Sequence, residues 1–302
     1  MQSHLFGGFA VGRDMIESWI SLAPVGLAHL KPEPLLNSCI MQMPVRLTLK
    51  ILLMAFLGLL PLASWAVLQD EIQVYDDEIN SKGQTSLELH VNNTPRGVQT
   101  PSYPGEVMNN SNTRITPEFA YGLGHDLEAG FYVNSVVNNS TWNYAGAKVR
   151  LKWLPYQEEK GDPVFGGLNI ELSNTLPQYE PSRYNSEARF IIGKHFDEWL
   201  LVVNPIFDQP LSQPYVHQTP YFNTAARLSR EVAPEWAVGV EFYSNYNQLG
   251  TGPVSWPGTQ QLGFLTVYCD GGPLPFQAGI GKGFTNSSDS LTLKAIFSIP
   301  LP

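Results

Sequence analysis

Cysteine, charge and long apolar runs are all scarce in this sequence. It has two cysteines, Cys39 and Cys269. If the chain is cut after Ala66, as argued below, Cys269 stands alone, which excludes an internal disulfide and a cysteine-based zinc site. Charged residues make up 15% of the chain. They are also unbalanced: residues 67 to 302 carry 14 Lys and Arg against 24 Asp and Glu. A nucleic-acid partner calls for a basic patch, so none is expected. Beyond residue 66 no stretch is apolar enough to cross a bilayer as a helix, which needs about 20 such residues. An exported chain of this kind is either soluble or built from strands.

One apolar run does occur, Ile51 to Leu62 in "LTLKILLMAFLGLLPLASWAVLQD". Arg46 and Lys50 precede it, and Ala63-Ser64-Trp65-Ala66 closes it with small residues where a signal peptidase reads. This is the layout of a secretory signal peptide. It predicts a signal over 43–66, cleavage after Ala66, and a start at Met41 or Met43. Residues 1–42 then form an over-extended, unstructured lead. The other reading makes the run a membrane anchor with a cytoplasmic tail, but the run is short for that role. Residues 67–82, including "DEIQVYDDEINSK", form an acidic periplasmic lead-in, either flexible or a short helix.

From residue 83 to 302 period-two alternation dominates, the mark of half-exposed strands. In "YAGAKVRLKWLP", Ala145, Ala147, Val149, Leu151 and Trp153 oppose Lys148, Arg150 and Lys152. Twelve such stretches are counted. Two of them, "SEARFIIGKHF" and "WLLVVNPIF", alternate less cleanly, and the second is apolar on both faces. The connections alternate between short and mostly long, with "VVNNST" the exception. An even number of strands with short turns at one end and long loops at the other predicts an all-β, antiparallel transmembrane barrel of the outer membrane. Polar faces rich in Gly, Asn, Tyr and Ser, aromatics near strand ends and low charge favour lipid outside and a polar lumen inside. A soluble exported β-protein would show the same period with the faces exchanged. The ending "FSIPLP" lacks the terminal aromatic of many such barrels and leaves the last strand in doubt.

"EFAYGLGHDLEAGFYVNSVVN", "NYAGAKVRLKWLP" and "FGGLNIELS" together resemble the family of outer-membrane barrels named after the MetA pathway of phenol degradation. Tyr121-Gly122-Leu123 and Leu127-Glu128-Ala129-Gly130 match its hairpin, with Ala129 in place of an apolar residue. Ala147 to Lys152 match its following strand. The likeness covers roughly a quarter of the chain. It implies an envelope barrel that moves small molecules, and it carries over no catalytic residue.

The candidate lumen residues are Glu118, Glu128, Lys148, Arg150, Lys152, Glu171, Arg189, Arg227 and Glu241. Lys148, Arg150 and Lys152 form either a basic strip that attracts anions or the partners of Glu128 and Glu171 on neighbouring strands. His125 with Asp126 and His195 with Asp197 sit at expected turns, where such residues serve the backbone. No metal and no cofactor are expected. Ser135 and His125 are joined by no catalytic motif, so an enzyme is not expected. The predicted function is passive passage or binding of a small solute, of unknown identity. The partners are outer-membrane lipid and the barrel-assembly machinery. The alternative is a structural or adhesive barrel working through its outer loops.

Overall fold

The computed structural model describes residues 70–251 and 259–301. The signal and the lead before it lie outside the described residues. Twelve strands form one closed antiparallel barrel, each paired to its neighbours in sequence, with the last paired to the first. They are β1 (Thr85–Arg96), β2 (Asn112–Gly124), β3 (Leu127–Asn138), β4 (Thr141–Tyr156), β5 (Phe165–Thr175) and β6 (Tyr184–Phe196). Then follow β7 (Trp199–Pro210), β8 (Tyr221–Ala233), β9 (Trp236–Gln248), β10 (Gln261–Cys269), β11 (Phe276–Gly283) and β12 (Leu291–Leu301). Closure leaves no sheet edge, which a strand structure in hydrocarbon requires.

The two ends of the barrel differ. At the turn end, His125 and Asp126 both take positive φ, 56° and 63°, and join β2 to β3 in a tight hairpin. The mirror-image hairpin turn demands that geometry at both positions. Their type is therefore fixed by the backbone, and Asp126 pairs with Lys160 rather than with His125. The chain enters β1 and leaves β12 at this same end, where Thr85 pairs with Leu301. The loop end carries the longer connections, except for the tight Asn139-Ser140 turn.

The alternation divides the wall into two surfaces. Val149, Leu151 and Trp153 on β4 point outward and are exposed, while Lys148 and Lys152, alternating with them, are buried inside. The outward face is apolar around the barrel, as a hydrocarbon-facing surface is. Trp142, Tyr144, Tyr184 and Tyr246 ring it near the loop end, and Trp153, Tyr156, Trp199 and Trp236 near the turn end. Tyr221, at the start of β8, turns inward, where Gln248 donates to its hydroxyl.

The last strand is complete. Residues 85 to 93 pair with 301 back to 293, so β12 closes the barrel along its length. The proline at 300 is accommodated by the ladder's own alternation. The Ser298 N–H points toward the β11 side, donating to the Pro275 carbonyl. Two residues on, position 300 faces that same side beyond the reach of β11, whose pairing stops at Phe276. No ladder bond is lost there.

Candidate functional site

The barrel's interior is occupied by its own chain. Residues 70–80, assigned to the periplasm by the sequence reading, run inside the barrel instead. They form neither a helix nor a strand. Asn80 lies near the turn end, where its N–H donates to Glu128 near the start of β3. Asp70 lies deeper, against Asn134 and Lys148. The segment thus enters from the turn end and climbs toward the loops.

Its own alternation explains the fit. In "EIQVY", Ile72 and Val74 face one way and Glu71, Gln73 and Tyr75 the other. Ile72 and Val74 are 2% and 4% exposed and belong to an apolar cluster with Leu154, Phe165, Ile191, Val202, Ile206 and Ala225. These wall residues point inward, where a polar lumen would be expected. They account for the weak alternation of the sixth and seventh strands: Ile191, Val202 and Ile206 make an apolar floor for the segment. Burying each of the two side chains contributes about 1.5–3 kcal/mol.

The opposite side of the segment is held by charge. Lys148 Nζ lies 2.8 Å from Glu71, 3.5 Å from Asp70 and 3.4 Å from Glu171. Lys148 supplies the cation that the buried Glu71 carboxylate needs. Tyr75 hydroxyl meets Glu71 and lies 2.7 Å from the Tyr132 hydroxyl. Arg189 donates to the Gln73 carbonyl at 3.1 Å and Arg227 pairs with Asp76 at 2.9 Å. Lys152 donates to the Glu78 carbonyl, Lys294 to that of Ile72, and His195 pairs with Asp77. His195, beside the turn at 197–198, therefore also serves the segment.

One side chain acts as a strand edge. The Tyr75 N–H donates to Asn204 Oδ1 at 2.8 Å, and Asn204 Nδ2 donates to the Tyr75 carbonyl at 2.9 Å. Asn204 is fully buried on β7. Its amide satisfies both backbone groups of Tyr75, which would otherwise be buried without partners.

The nine sequence-predicted residues divide between contacts to the segment and contacts within the wall. Lys148, Arg189 and Arg227 hold the segment through their side-chain cations, with Lys152 on a carbonyl. Arg150 bridges Glu118 at 2.6 Å and Glu128 at 2.7 Å, all three on the wall. Glu241 pairs with Lys294 and accepts from the Tyr243 and Tyr268 hydroxyls at 2.7 Å each. Glu171 accepts from Asn169 at 2.9 Å besides facing Lys148. Of the two readings of the basic strip, pairing with Glu128 and Glu171 is present, but the larger partner is the segment. Sequence reasoning missed Asp70, Glu71, Tyr75, Asn204 and Lys294. The signal was there in the period-two "EIQVY" and in the doubly apolar "WLLVVNPIF".

The remaining interior space is uneven. A cavity of about 860 Å³ opens at the turn end, lined by Tyr75, Glu88, Glu118, Arg150 and Lys152 among others. Toward the loops two small cavities of about 50 and 30 Å³ flank the segment's inner end. Around the first of these, Glu171, Glu180, Glu187 and Asp208 gather with Lys148. Glu180, in the loop after β5, is pushed up to about 8 by burial and then by the charge of Asp70.

A closed, twelve-stranded barrel with an apolar outer belt and a charged interior is an outer-membrane β-barrel. Among solved structures, the outer membrane channel of the COG4313 group from Pseudomonas putida F1 shares this fold. Its TM-score is 0.51 at 11% identity, over 76% of this chain and all of that one. A porin named KdgM aligns at 5% identity over 72% of this chain and 99% of its own, with a TM-score of 0.48. No family model matches the chain. No curated protein matches it either.

Proposed function

We propose that the chain is an outer-membrane channel for a small solute, closed by its own N-terminal segment. The observation that carries this reading is the double fastening of residues 70–80: apolar residues on an apolar floor, acidic residues on wall cations. A barrel merely filled for stability would need no such separable element. The segment is continuous with β1 only through the turn at 81–84, so it can leave without breaking a ladder. Its departure would uncover Lys148, Arg189 and Arg227 together. The opened lumen would then admit anions more readily than the closed one, since lumen charges set selectivity and the segment's acids would be gone.

The signal peptide, the placement of the turn end in the periplasm, the lipid around the apolar belt and delivery by barrel-assembly machinery belong to the same proposal. So does kinship with the phenol-degradation barrel family, which rests on the hairpin at 121–130 and the strand at 147–152. The test is solute uptake by proteoliposomes. The Glu71→Gln barrel, which loses the segment's contact with Lys148 and keeps the wall cation, should admit small anions at least several-fold faster than the wild type, and cations less so. Equal rates for the two proteins would refute a segment-controlled channel. The filled lumen also favours a second reading, a structural barrel acting through its outer loops; that protein would pass no solute in either form.

A further inference from the structure

We infer that Glu88, His90 and Glu118 form a site for a first-row divalent cation of the zinc class on the inner wall of the barrel. The sequence reading singled out neither Glu88 nor His90 as a ligand, because nothing in the spacing shows which strand lies beside them.

The arrangement follows from the sheet. Glu88 and His90 are two residues apart on β1, so both face inward. Glu118 on β2 is the direct cross-strand partner of Glu88. Two carboxylates placed opposite each other repel unless a cation lies between them. His90 Nε2 lies 3.1 Å from Glu118 Oε2 and 3.6 Å from Glu88 Oε2. One donor atom from each residue falls within 4.8 Å of the other two. Ligand atoms each about 2.1 Å from a tetrahedral metal stand roughly 3.4 Å apart, so the spacing needs little change to close on an ion.

The neighbours leave those atoms available. Arg150 takes Glu118 through Oε1, leaving Oε2 for the ion. His90 is fully buried, and its Nδ1 has no hydrogen-bond partner. The imidazole can carry its proton there and present the Nε2 lone pair, exchanging its present hydrogen bond to Glu118 Oε2 for the ion. Gln73 on the segment donates to Glu88 Oε2 at 3.3 Å, a single neutral contact that an ion would displace. Glu88 and Glu118 both line the cavity of about 860 Å³. That cavity supplies an entry path and a water for the fourth position.

The donor set selects the ion. One imidazole nitrogen and two carboxylate oxygens suit zinc and its first-row neighbours, whereas calcium takes six to eight oxygens and magnesium a near-octahedral oxygen shell. Zinc with three protein ligands and one water is a common open site.

The test uses the untagged, purified full-length barrel, stripped with a chelator and titrated with Zn2+ and, separately, Co2+. One equivalent should bind, and bound Co2+ should show the intense visible absorption of a four-coordinate ion. His90→Gln and Glu88→Gln should each weaken binding at least tenfold, while His217→Gln, in an outer loop, should leave it unchanged. Retention of the unboiled gel shift certifies that each variant is folded. A wild-type barrel that takes up no equivalent, or gives only the weak spectrum of a six-coordinate ion, overturns the site. So does unchanged binding in a folded His90→Gln or Glu88→Gln barrel. If one of these variants does not fold, the other and the wild-type Co2+ spectrum still decide the matter.

Discussion

Arg150 shows how single side chains set the energetics of this interior. It is 7% exposed and touches two carboxylates that are themselves nearly buried. Removing one partner of such a group leaves uncompensated charge, which costs about 3–5 kcal/mol. Arg150→Met is therefore expected to lower the temperature at which the unboiled band loses its shifted mobility. An unchanged midpoint would mean that water, not Arg150, solvates Glu118 and Glu128. Gly193 carries a different constraint. A Cβ there would meet the Phe165 ring at 2.0 Å, across a direct cross-strand pair. The ring lies over the glycine and fills its missing side chain. Gly193→Val should cost about 1–3 kcal/mol through overpacking, and truncating the ring in Phe165→Ala should relieve the clash in the double variant. At Glu180 the sign follows from its raised value, about 8. A raised carboxyl is favourable while protonated and loses that contribution as pH rises from its ordinary range toward 8. Glu180→Gln should match the wild type in stability near pH 4 and exceed it near pH 9. Melting at both pH values checks this.

The segment at 70–80 is the element on which function turns, and it was only half legible. Its acidity was plain, and so was the basic strip on β4. What joined them was not, because a charge pattern does not reveal which of several partners it will meet. The apolar floor was visible as an anomaly: a strand apolar on both faces fits poorly in a barrel with a polar lumen. The physical reason is that Val202 and Ile206 face Ile72 and Val74 rather than water. The strands themselves were legible, since period two survives wherever one face meets hydrocarbon. The proline near the C-terminus was misleading, because an unpaired N–H cannot be placed on one side of a strand without knowing its neighbours. Asn204→Ala removes both bonds to Tyr75 and leaves a buried N–H and carbonyl unsatisfied, at a cost of about 1–3 kcal/mol each. The loss falls on the segment and not on the ladder. Hydrogen exchange at residues 71–79 should accelerate while the strands keep their protection. Uniform acceleration would show that Asn204 supports the wall instead.

For the whole molecule, the question is how much of the interior belongs to the wall and how much to the segment. Lys148, Arg150, Lys152, Arg189, Arg227 and Lys294 on the wall face Glu88, Glu118, Glu128, Glu171, Glu187, Asp208 and Glu241 in nearly equal number. The segment adds Asp70, Glu71, Asp76, Asp77 and Glu78. The barrel is therefore close to balanced when open and acidic when closed. This makes the closed state sensitive to cations and the open state permissive to anions. The most direct measurement is the conductance of single barrels in a planar bilayer, the full mature chain against one lacking residues 70–79. The account predicts that the full chain conducts weakly, and that the deletion raises conductance several-fold and shifts selectivity toward anions. Equal conductance and selectivity in the two proteins would contradict it, because the segment would then close nothing.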